Sequence, residues 1–293
     1  MPTTKPIKQK IEQLKKEYDS LEKGKESLLV MIDEAEISES VYNSNAIENS
    51  TLTLKETEKI LLEMELSRDV DLREALEAKN LAKVTEYIKK KTQELKINQK
   101  TILLLHQMLI TNINDRIAGR FRKPGEYVRV GSYIAPAPER VEQMIETIIN
   151  QYADDDKTYF LDKIAQFHLD FENIHPFNDG NGRIGRVLIN LQLFKLGFPG
   201  LIIRNKEKKI YYSTFNEYRD EKKAKTMERV LYLALIESLH KRITYLKGAN
   251  IITLSDFTKQ QKESTPSAIL NAARRQNIPA FREKGIWKIS ENG

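Results

Sequence analysis

Apolar residues recur at helical spacing along most of this 293-residue chain, which predicts a mainly α-helical fold. The first such stretch covers residues 7–39, where Lys and Glu side chains lie four residues apart, as on a solvated helix. With 40% hydrophobic and 31% charged residues, the composition is that of a globular protein. The further helical patterns cover 54–66, 70–94, 98–112, 139–152, 158–174, 183–196 and 208–247.

The composition also excludes several classes of protein. The chain has no Cys, which excludes disulfide scaffolds, thiolate zinc sites and cysteine nucleophiles. The N-terminal segment lacks the apolar stretch of a secretory signal, and no apolar run approaches the roughly 18 residues that span a bilayer. We therefore expect a cytoplasmic protein with no membrane partner. The formal net charge of +6 permits phosphate-bearing partners without requiring them.

Helical periodicity is interrupted at residues 119–138, GRFRKPGEYVRVGSYIAPAP. Pro124-Gly125 is typical of a turn, and residues 127–134 are β-prone and bounded by Gly and Pro. This segment predicts a small β-hairpin inside a helical domain.

The loop at residues 174–186, IHPFNDGNGRIGR, combines several reactive and charged side chains. Gly180-Asn181-Gly182 leads directly into a predicted helix, whose free N–H groups favour an anion. An isolated GNG loop would be weak support, because such loops are common. The surrounding residues strengthen the case for phosphate chemistry, while the absence of GxxxxGK[ST] excludes a P-loop NTPase.

The side chains of this loop suggest how phosphate chemistry would work. Arg183 and Arg186 oppose the helix dipole in the first turn, and a bound polyphosphate would reverse the sign of that unfavourable term. Asp179 offers a hard oxygen ligand of the kind that Mg²⁺ prefers. The imidazole of His175 could take a proton near neutral pH.

The stretch from His175 to Arg186 matches the signature HPFx(D/E)GNGRxxR without a departure, so the chain resembles Fic-domain proteins over roughly residues 100–240. The resemblance implies a helical Fic core with a β-hairpin flap. Fic proteins typically transfer AMP from ATP to a Ser, Thr or Tyr hydroxyl of a target protein and release diphosphate. Doc-like relatives that phosphorylate their targets depart from GNGR, which this chain keeps, so the resemblance implies a protein adenylyltransferase.

The resemblance also implies roles for individual residues. His175 would be the general base, and Asp179 would hold Mg²⁺ between the α- and β-phosphates of ATP. Where some relatives have an adenine-contacting Asn, this chain has Arg219. The residues implied at the ATP site are Glu48, His175, Gly180, Asn181, Gly182, Arg183, Ile184, Gly185, Arg186, Tyr211 and Tyr212.

The predicted hairpin resembles the flap of Fic proteins. In the flap, Val128, Arg129, Val130 and Gly131 would align a segment of the target protein by strand addition. The alternative is a structural hairpin without a special function.

Residues 44–49, SNAIEN, match the inhibitory motif (S/T)xxxE(G/N) of Fic proteins. Ser44 and Glu48 are four residues apart and share one helix face, so the Glu48 carboxylate could pair bidentately with Arg186. This pairing would occupy the partner of the ATP γ-phosphate and make the enzyme autoinhibited. The alternatives are a solvated surface pair, or a Glu48 that positions water to remove AMP from targets.

The C-terminal residues 248–293 read as helix, helix and hairpin, which is the outline of a winged helix-turn-helix similar to excisionase-like domains. Residues 251–293 carry a charge of +3, from seven basic residues that include Arg274, Arg275 and Lys262 and four acidic residues. Binding of DNA through 251–293 is one interpretation. Protein contacts or support of the Fic core is the other.

The sequence thus predicts an N-terminal helical regulatory region (1–97) with its motif at 44–49, a Fic core (98–247) and a small winged-helix module (248–293). The expected substrates are ATP, with Mg²⁺, and a hydroxyl group of a target protein or of the chain itself. The competing function is a DNA-binding regulator in which the Fic core senses nucleotides. Fic proteins commonly self-associate, so a homo-oligomer is also compatible with the resemblance.

Overall fold

The structure is a computed structural model that describes residues 3–63, 70–131, 133–260 and 265–292. It confirms the mainly helical fold. The helices are Lys5–Glu22 (α1), Glu26–Ile47 (α2), Leu54–Glu58 (α3), Leu72–Lys90 (α4), Gln99–Ile110 (α5), Pro138–Asp154 (α6), Phe160–Ile174 (α7), Asn181–Lys195 (α8), Lys208–Glu221 (α9), Lys225–Leu246 (α10), Leu254–Gln260 (α11) and Pro266–Arg274 (α12). The strands are Arg129–Val130 (β1), Tyr133–Ile134 (β2), Ile251–Thr253 (β3), Phe281–Glu283 (β4) and Ile286–Ser290 (β5).

Two of the predicted helical stretches are interrupted. The stretch at 7–39 breaks at Gly24, whose φ of +75° lies in the left-handed region that ends a helix. The stretch at 208–247 breaks after Lys222, which also has a positive φ. The pattern predicted at 54–66 continues from α3 into a π-helical turn, Lys59–Glu63, and its last residues lie outside the described ones.

The predicted hairpin is present as β1 and β2, which pair antiparallel with Val130 opposite Tyr133. Its base is held by the Arg122 guanidinium, which donates to the carbonyl oxygens of Glu126 (3.0 Å) and Pro136 (2.8 Å). The Tyr133 hydroxyl donates to the carbonyl oxygen of Asn173 at 3.1 Å. The hairpin is therefore fixed to the last turn of α7.

Helices α7 and α8 lie between two hydrophobic clusters. One face of α7, with Phe167 and Phe171, packs into a cluster built mainly from α4, α5 and α6. Its other face, with Leu161 and Ile164, packs into a second cluster built mainly from α1, α9 and α10. Because both faces of α7 are buried, the loop that follows it starts from a rigid support.

The C-terminal residues form a three-stranded antiparallel sheet, in the order β3-β5-β4, packed on α11 and α12. The Thr265 side chain caps α12 by accepting from the amide of Ala268. Phe281 is fully buried and lies against Tyr245 of α10, so β4 docks on the helical body. The small core of this module consists of Leu254, Ile269, Ala273, Ala280 and Ile289.

In the part of the chain that the structure describes, every helix is too short or too polar to cross a bilayer.

Candidate active site

The backbone at His175 is held by a specific set of contacts. His175 follows the last turn of α7 in a left-handed conformation (φ +50°), and its amide donates to the carbonyl oxygen of Phe171 at 3.0 Å. Arg122 donates from Nε to the His175 carbonyl oxygen (2.9 Å) and from its amide to that of Pro176 (3.0 Å). The chain thus turns sharply here, and Arg122 fixes the turn.

The imidazole of His175 is neutral at physiological pH in this conformation. Burial lowers the pKa of His175 to about 4. Its Nδ1 atom is buried and has no hydrogen-bond partner among the described residues. A neutral imidazole with an unpartnered nitrogen is suited to accept a proton.

The loop after His175 is held in shape by hydrogen bonds within the loop and by packing on His106. The Asn181 side chain accepts from the amide of Phe177 (2.9 Å) and donates to the carbonyl oxygen of Phe177 (2.8 Å). The buried Phe177 ring stacks on His106 with ring centroids 3.6 Å apart. His106 Nε2 also lies 3.1 Å from the Asp179 carbonyl oxygen. These contacts rigidify the loop in front of α8.

The N-terminus of α8 has no side-chain cap and lies beneath the Glu48 carboxylate. Gly180 occupies the N-cap position with φ +82° and offers no side-chain cap, so the first-turn N–H groups are not satisfied from that position. A Cβ atom on Gly182 would collide with the Glu48 carboxylate. Glu48 therefore lies directly over the helix terminus, where a side chain at position 182 would displace its carboxylate.

Asp179 and Arg183 belong to an ionic cluster with two residues of α4. Asp179 pairs with Arg73 at 2.6 Å and with Arg183 at 3.0 Å, and Glu77 pairs with Arg183 at 3.1 Å. Arg183 is only 3% exposed. Its expected role at the polyphosphate is therefore not available in this conformation, because two carboxylates already bind it.

Arg186 is bound by the C-terminal end of α2. It donates from Nη2 to Glu48 Oε1 at 2.8 Å, and from Nε and Nη2 to the Oγ atom (2.9 Å) and carbonyl oxygen (2.8 Å) of Ser44. The contact between Glu48 and Arg186 is present, but the expected bidentate geometry is wrong. Glu48 uses one oxygen and shares Nη2 with Ser44, which also binds Nε, while Nη1 lies 3.5 Å from the Tyr211 hydroxyl.

Two other residues expected at the nucleotide face the core. Tyr211 is fully buried, with its hydroxyl 2.7 Å from His168 Nε2 and 3.5 Å from Arg186 Nη1. Ile184 is likewise fully buried. Their side chains therefore pack in the core behind the site and do not line it. Tyr212 is 36% exposed and donates to the carbonyl oxygen of Ile47 at 2.8 Å, so it lies at the end of α2.

The site also contains a buried carboxyl group that sequence reasoning missed. Burial, followed by the nearby negative charge of Glu48, raises the pKa of Glu172 to about 8. Its Oε1 atom has no hydrogen-bond partner among the described residues. Arg73, Glu77 and Arg122 were missed as well. They lie far from the loop in sequence, and no local pattern connects them to it.

The buried histidines should make the stability of the fold sensitive to acid. Burial lowers the pKa of all four histidines from 6.5, to about 3 for His168 and about 4 for His106, His175 and His240. Near pH 5 the unfolded chain therefore binds close to four protons on histidine that the folded chain does not. Glu172 and Glu228, whose pKa values are raised to about 8 and about 7, act in the opposite direction. The net difference approaches two protons only near pH 5, so the free energy of unfolding should fall by about 3 kcal/mol in total between pH 7 and pH 5.

Urea unfolding between pH 7 and pH 5 measures this effect. We expect the midpoint to fall with pH, and to fall less steeply in His240→Gln, which removes one titrating group outside the loop. Equal midpoints at pH 7 and pH 5 would contradict the prediction.

Part of this chain is similar in sequence to known proteins. Residues 96–193 match the Fic/DOC family. The chain is 30% identical over 183 residues to a protein adenylyltransferase Fic of Nematostella vectensis, covering 60% of this chain and 42% of that protein. It is also 30% identical over 184 residues to the protein adenylyltransferase fic-1 of Caenorhabditis elegans, covering 60% of this chain and 35% of that protein. The matched region is thus less than half of either relative.

A solved structure extends the similarity beyond the matched domain. A Fic domain-containing signaling protein of Bacteroides thetaiotaomicron superposes with a TM-score of 0.72 at 26% identity, over 82% of this chain and 97% of that one. The fold therefore has Fic-protein neighbours across most of its length. Residues 96–193, which contain the loop and the start of α8, are thus similar to the Fic domain of protein adenylyltransferases.

Proposed function

We propose that this chain is a protein adenylyltransferase, which transfers AMP from ATP to Ser, Thr or Tyr hydroxyls of a target protein and of itself. The observation that carries the proposal is the position of Glu48. Its carboxylate lies over the N-terminus of α8 at Gly182 and pairs with Arg186. An anion therefore already occupies the place where a helix terminus and a buried guanidinium would bind phosphate.

His175 would accept the proton of the target hydroxyl as its oxygen attacks the α-phosphorus of ATP. A new P–O bond forms to the target, the bond to the β-phosphate oxygen breaks, and diphosphate leaves. The first-turn N–H groups of α8 would stabilise the negative charge of the phosphates. The rigid turn fixed by Arg122 would keep His175 in position for the proton transfer.

Asp179 is the residue that would hold Mg²⁺. One carboxylate suffices for an ion that keeps several waters and takes its other ligands from phosphates. The Asp179 side chain is 31% exposed, and its partner Arg73, which also pairs with Glu77, is 60% exposed. When bound there, Mg²⁺ would neutralise charge on the phosphates.

Glu48 would act as an inhibitory residue in this scheme. It occupies the partner that the γ-phosphate of ATP needs and adds a negative charge that opposes the nucleotide. Ser44 strengthens the block, because its hydroxyl and carbonyl oxygens accept from Nε and Nη2 of Arg186. Removal of AMP by a water on Glu48 stays a prediction of the sequence, as does self-association.

We further propose that the C-terminal module is a winged helix-turn-helix that supports the catalytic core. Four of its basic residues already pair with carboxylates of the chain: Lys259 with Asp256, Arg282 with Glu207 and Glu237, Lys284 with Glu58, and Lys288 with Glu283. Arg274 and Arg275 are exposed, and Lys262 lies outside the described residues. DNA binding through this module stays a prediction, and the exposed Arg274 and Arg275 are the residues that would contact the phosphates.

Peptide mapping by mass spectrometry tests the proposed activity. Glu48→Gly is incubated with ATP, Mg²⁺ and a cell lysate, and modified peptides are sought. The proposal expects AMP on hydroxyl side chains of the enzyme or of a lysate protein. An unmodified proteome, with ATP binding intact, would refute it.

A further inference from the structure

Glu39 is a buried carboxylate on the inhibitory helix, outside the site described above. It lies on α2, five residues before Ser44, and is 4% exposed. At a helical rise of 1.5 Å per residue, it is about 7 Å from Ser44 and about 14 Å from Glu48 along the helix axis. Among the described residues, the hydrogen-bond and ion-pair partners of its carboxylate all lie in the C-terminal half of the chain, outside the catalytic loop.

The hairpin turn between β4 and β5 binds Glu39 through its backbone. The amides of Lys284 and Gly285 donate to the two oxygens of the Glu39 carboxylate, at 3.0 Å and 3.1 Å. Both turn residues have positive φ, as a two-residue hairpin requires. Arg204 provides the counter-charge by pairing with the same carboxylate. A carboxylate this deeply buried is tolerated only while such partners are in place.

The turn is itself fixed to the helical body. Arg282, at the centre of β4, pairs with Glu237 of α10 at 2.6 Å, and its amide donates to the same carboxylate at 2.9 Å. Arg204 joins the two carboxylates, since it pairs with Glu237 at 3.0 Å as well as with Glu39. Two arginines and two glutamates thus form one largely buried ionic group that connects α2, α10 and β4, and Glu207 adds a third carboxylate at Arg282.

A second contact fixes α2 between Glu39 and the inhibitory residues. The Asn43 side chain accepts from the amide of Asn205 at 2.9 Å and donates to the Glu39 carbonyl oxygen at 2.8 Å. The last turns of α2 are therefore held by contacts at Glu39 and at Asn43, and at their end by Arg186 of α8. Movement of α2 away from Arg186 requires the Glu39 contacts to break or to move with it.

We propose that the β4–β5 turn of the C-terminal module holds the inhibitory end of α2 in place through Glu39, so that displacement of this turn releases Glu48 from Arg186. Glu39 is then a positioning residue, and the C-terminal module regulates the site. The regulatory part of this proposal rests on the proposed function, whereas the mechanical coupling between the turn and α2 can be tested without it.

Hydrogen exchange of the amides at residues 44–48 measures the coupling directly. The variants are Glu39→Gln, which removes the charge at equal size, and Arg282→Lys, which loosens β4 on α10 without touching α2. Glu34→Gln is the matched control, because Glu34 is an exposed glutamate of the same helix. We expect exchange at 44–48 to be about tenfold faster in both test variants than in wild type and the control, a factor typical of coupled sites.

Unchanged exchange at 44–48 in folded Glu39→Gln and Arg282→Lys would overturn the proposal. An equal acceleration at residues 141–148 of α6 would also overturn it, since that would mean a general loss of stability. If Glu39→Gln does not fold, Arg282→Lys decides by the same criteria.

The regulatory part is tested by AMP transfer. Glu39→Gln should transfer AMP about tenfold faster than wild type, whereas adding it to Glu48→Gly should bring no further increase. Additive effects of the two substitutions would overturn the role of Glu39 in inhibition. If Glu48→Gly itself transfers no AMP, the proposed function fails, and hydrogen exchange still decides the coupling.

Discussion

Glu48→Gly should raise the rate of AMP transfer about a hundredfold if the wild-type site is open in about 1% of molecules. The substitution removes the carboxylate that pairs with Arg186 at 2.8 Å and covers the N-terminus of α8 at Gly182. A buried guanidinium and uncapped N–H groups then become available to the phosphates of ATP. Initial rates of AMP incorporation at saturating ATP measure the effect.

Two variants control for this interpretation. Glu48→Gln keeps the size of the side chain and removes its charge, so it should give a rate between those of wild type and Glu48→Gly. Glu34→Gln changes the same charge at an exposed position of the same helix and should match wild type. A Glu48→Gly enzyme no faster than wild type would show that this carboxylate does not inhibit the site.

His175→Ala in the Glu48→Gly background should lower AMP transfer by about 10² to 10⁴-fold, the usual contribution of a general base. The substitution removes the neutral imidazole that ends α7, while Arg122 still holds the backbone of the loop through the carbonyl oxygen of residue 175. The rate of incorporation should therefore collapse with little change in the melting temperature.

The pH dependence provides an independent check on His175. Burial lowers the pKa of His175 to about 4 in the closed conformation, and opening of the site should let it return towards 6.5. Because the neutral imidazole accepts the proton, the rate of Glu48→Gly should be lost as the pH falls through a value between 4 and 6.5. A rate that is independent of pH between 4 and 6.5 would show that His175 does not accept the proton. An active His175→Ala variant would show the same.

The parts of the fold that depend on local sequence could be predicted. The hairpin at β1 and β2 follows from Pro and Gly around a β-prone run, and Thr265 caps α12 as its position before Pro266 indicates. Gly197, just past the end of α8, has the positive φ expected of a helix-ending glycine. Each of these signals acts within a few residues of its effect.

The contacts between distant segments were not accessible from local patterns. Arg73 reaches Asp179 over 106 residues, and the Lys284 amide reaches Glu39 over 245. Such pairs are fixed by how the helices pack, which periodicity does not specify. The contact of Glu48 with Arg186 was predicted only through a resemblance to Fic proteins. Even there, the share of Arg186 taken by Ser44 became visible only in the structure.

The burial of Tyr211 and the ion pairs of Arg183 also depend on contacts between distant segments, so local patterns did not predict them. Both residues belong to segments whose resemblance implies contact with ATP, and both are covered by neighbours that the resemblance does not specify. Arg183 would become available to phosphates only if Asp179 and Glu77 released it.

The position of the transferred label tests the proposed chemistry most directly. Glu48→Gly is supplied in parallel with ATP labelled at the α-phosphate and with ATP labelled at the γ-phosphate, with Mg²⁺ and the double variant Glu48→Gly/His175→Ala as the control. AMP transfer predicts protein label from the α-position only, and none in the double variant. Label from the γ-position, or no label from either, would contradict AMP transfer by this site.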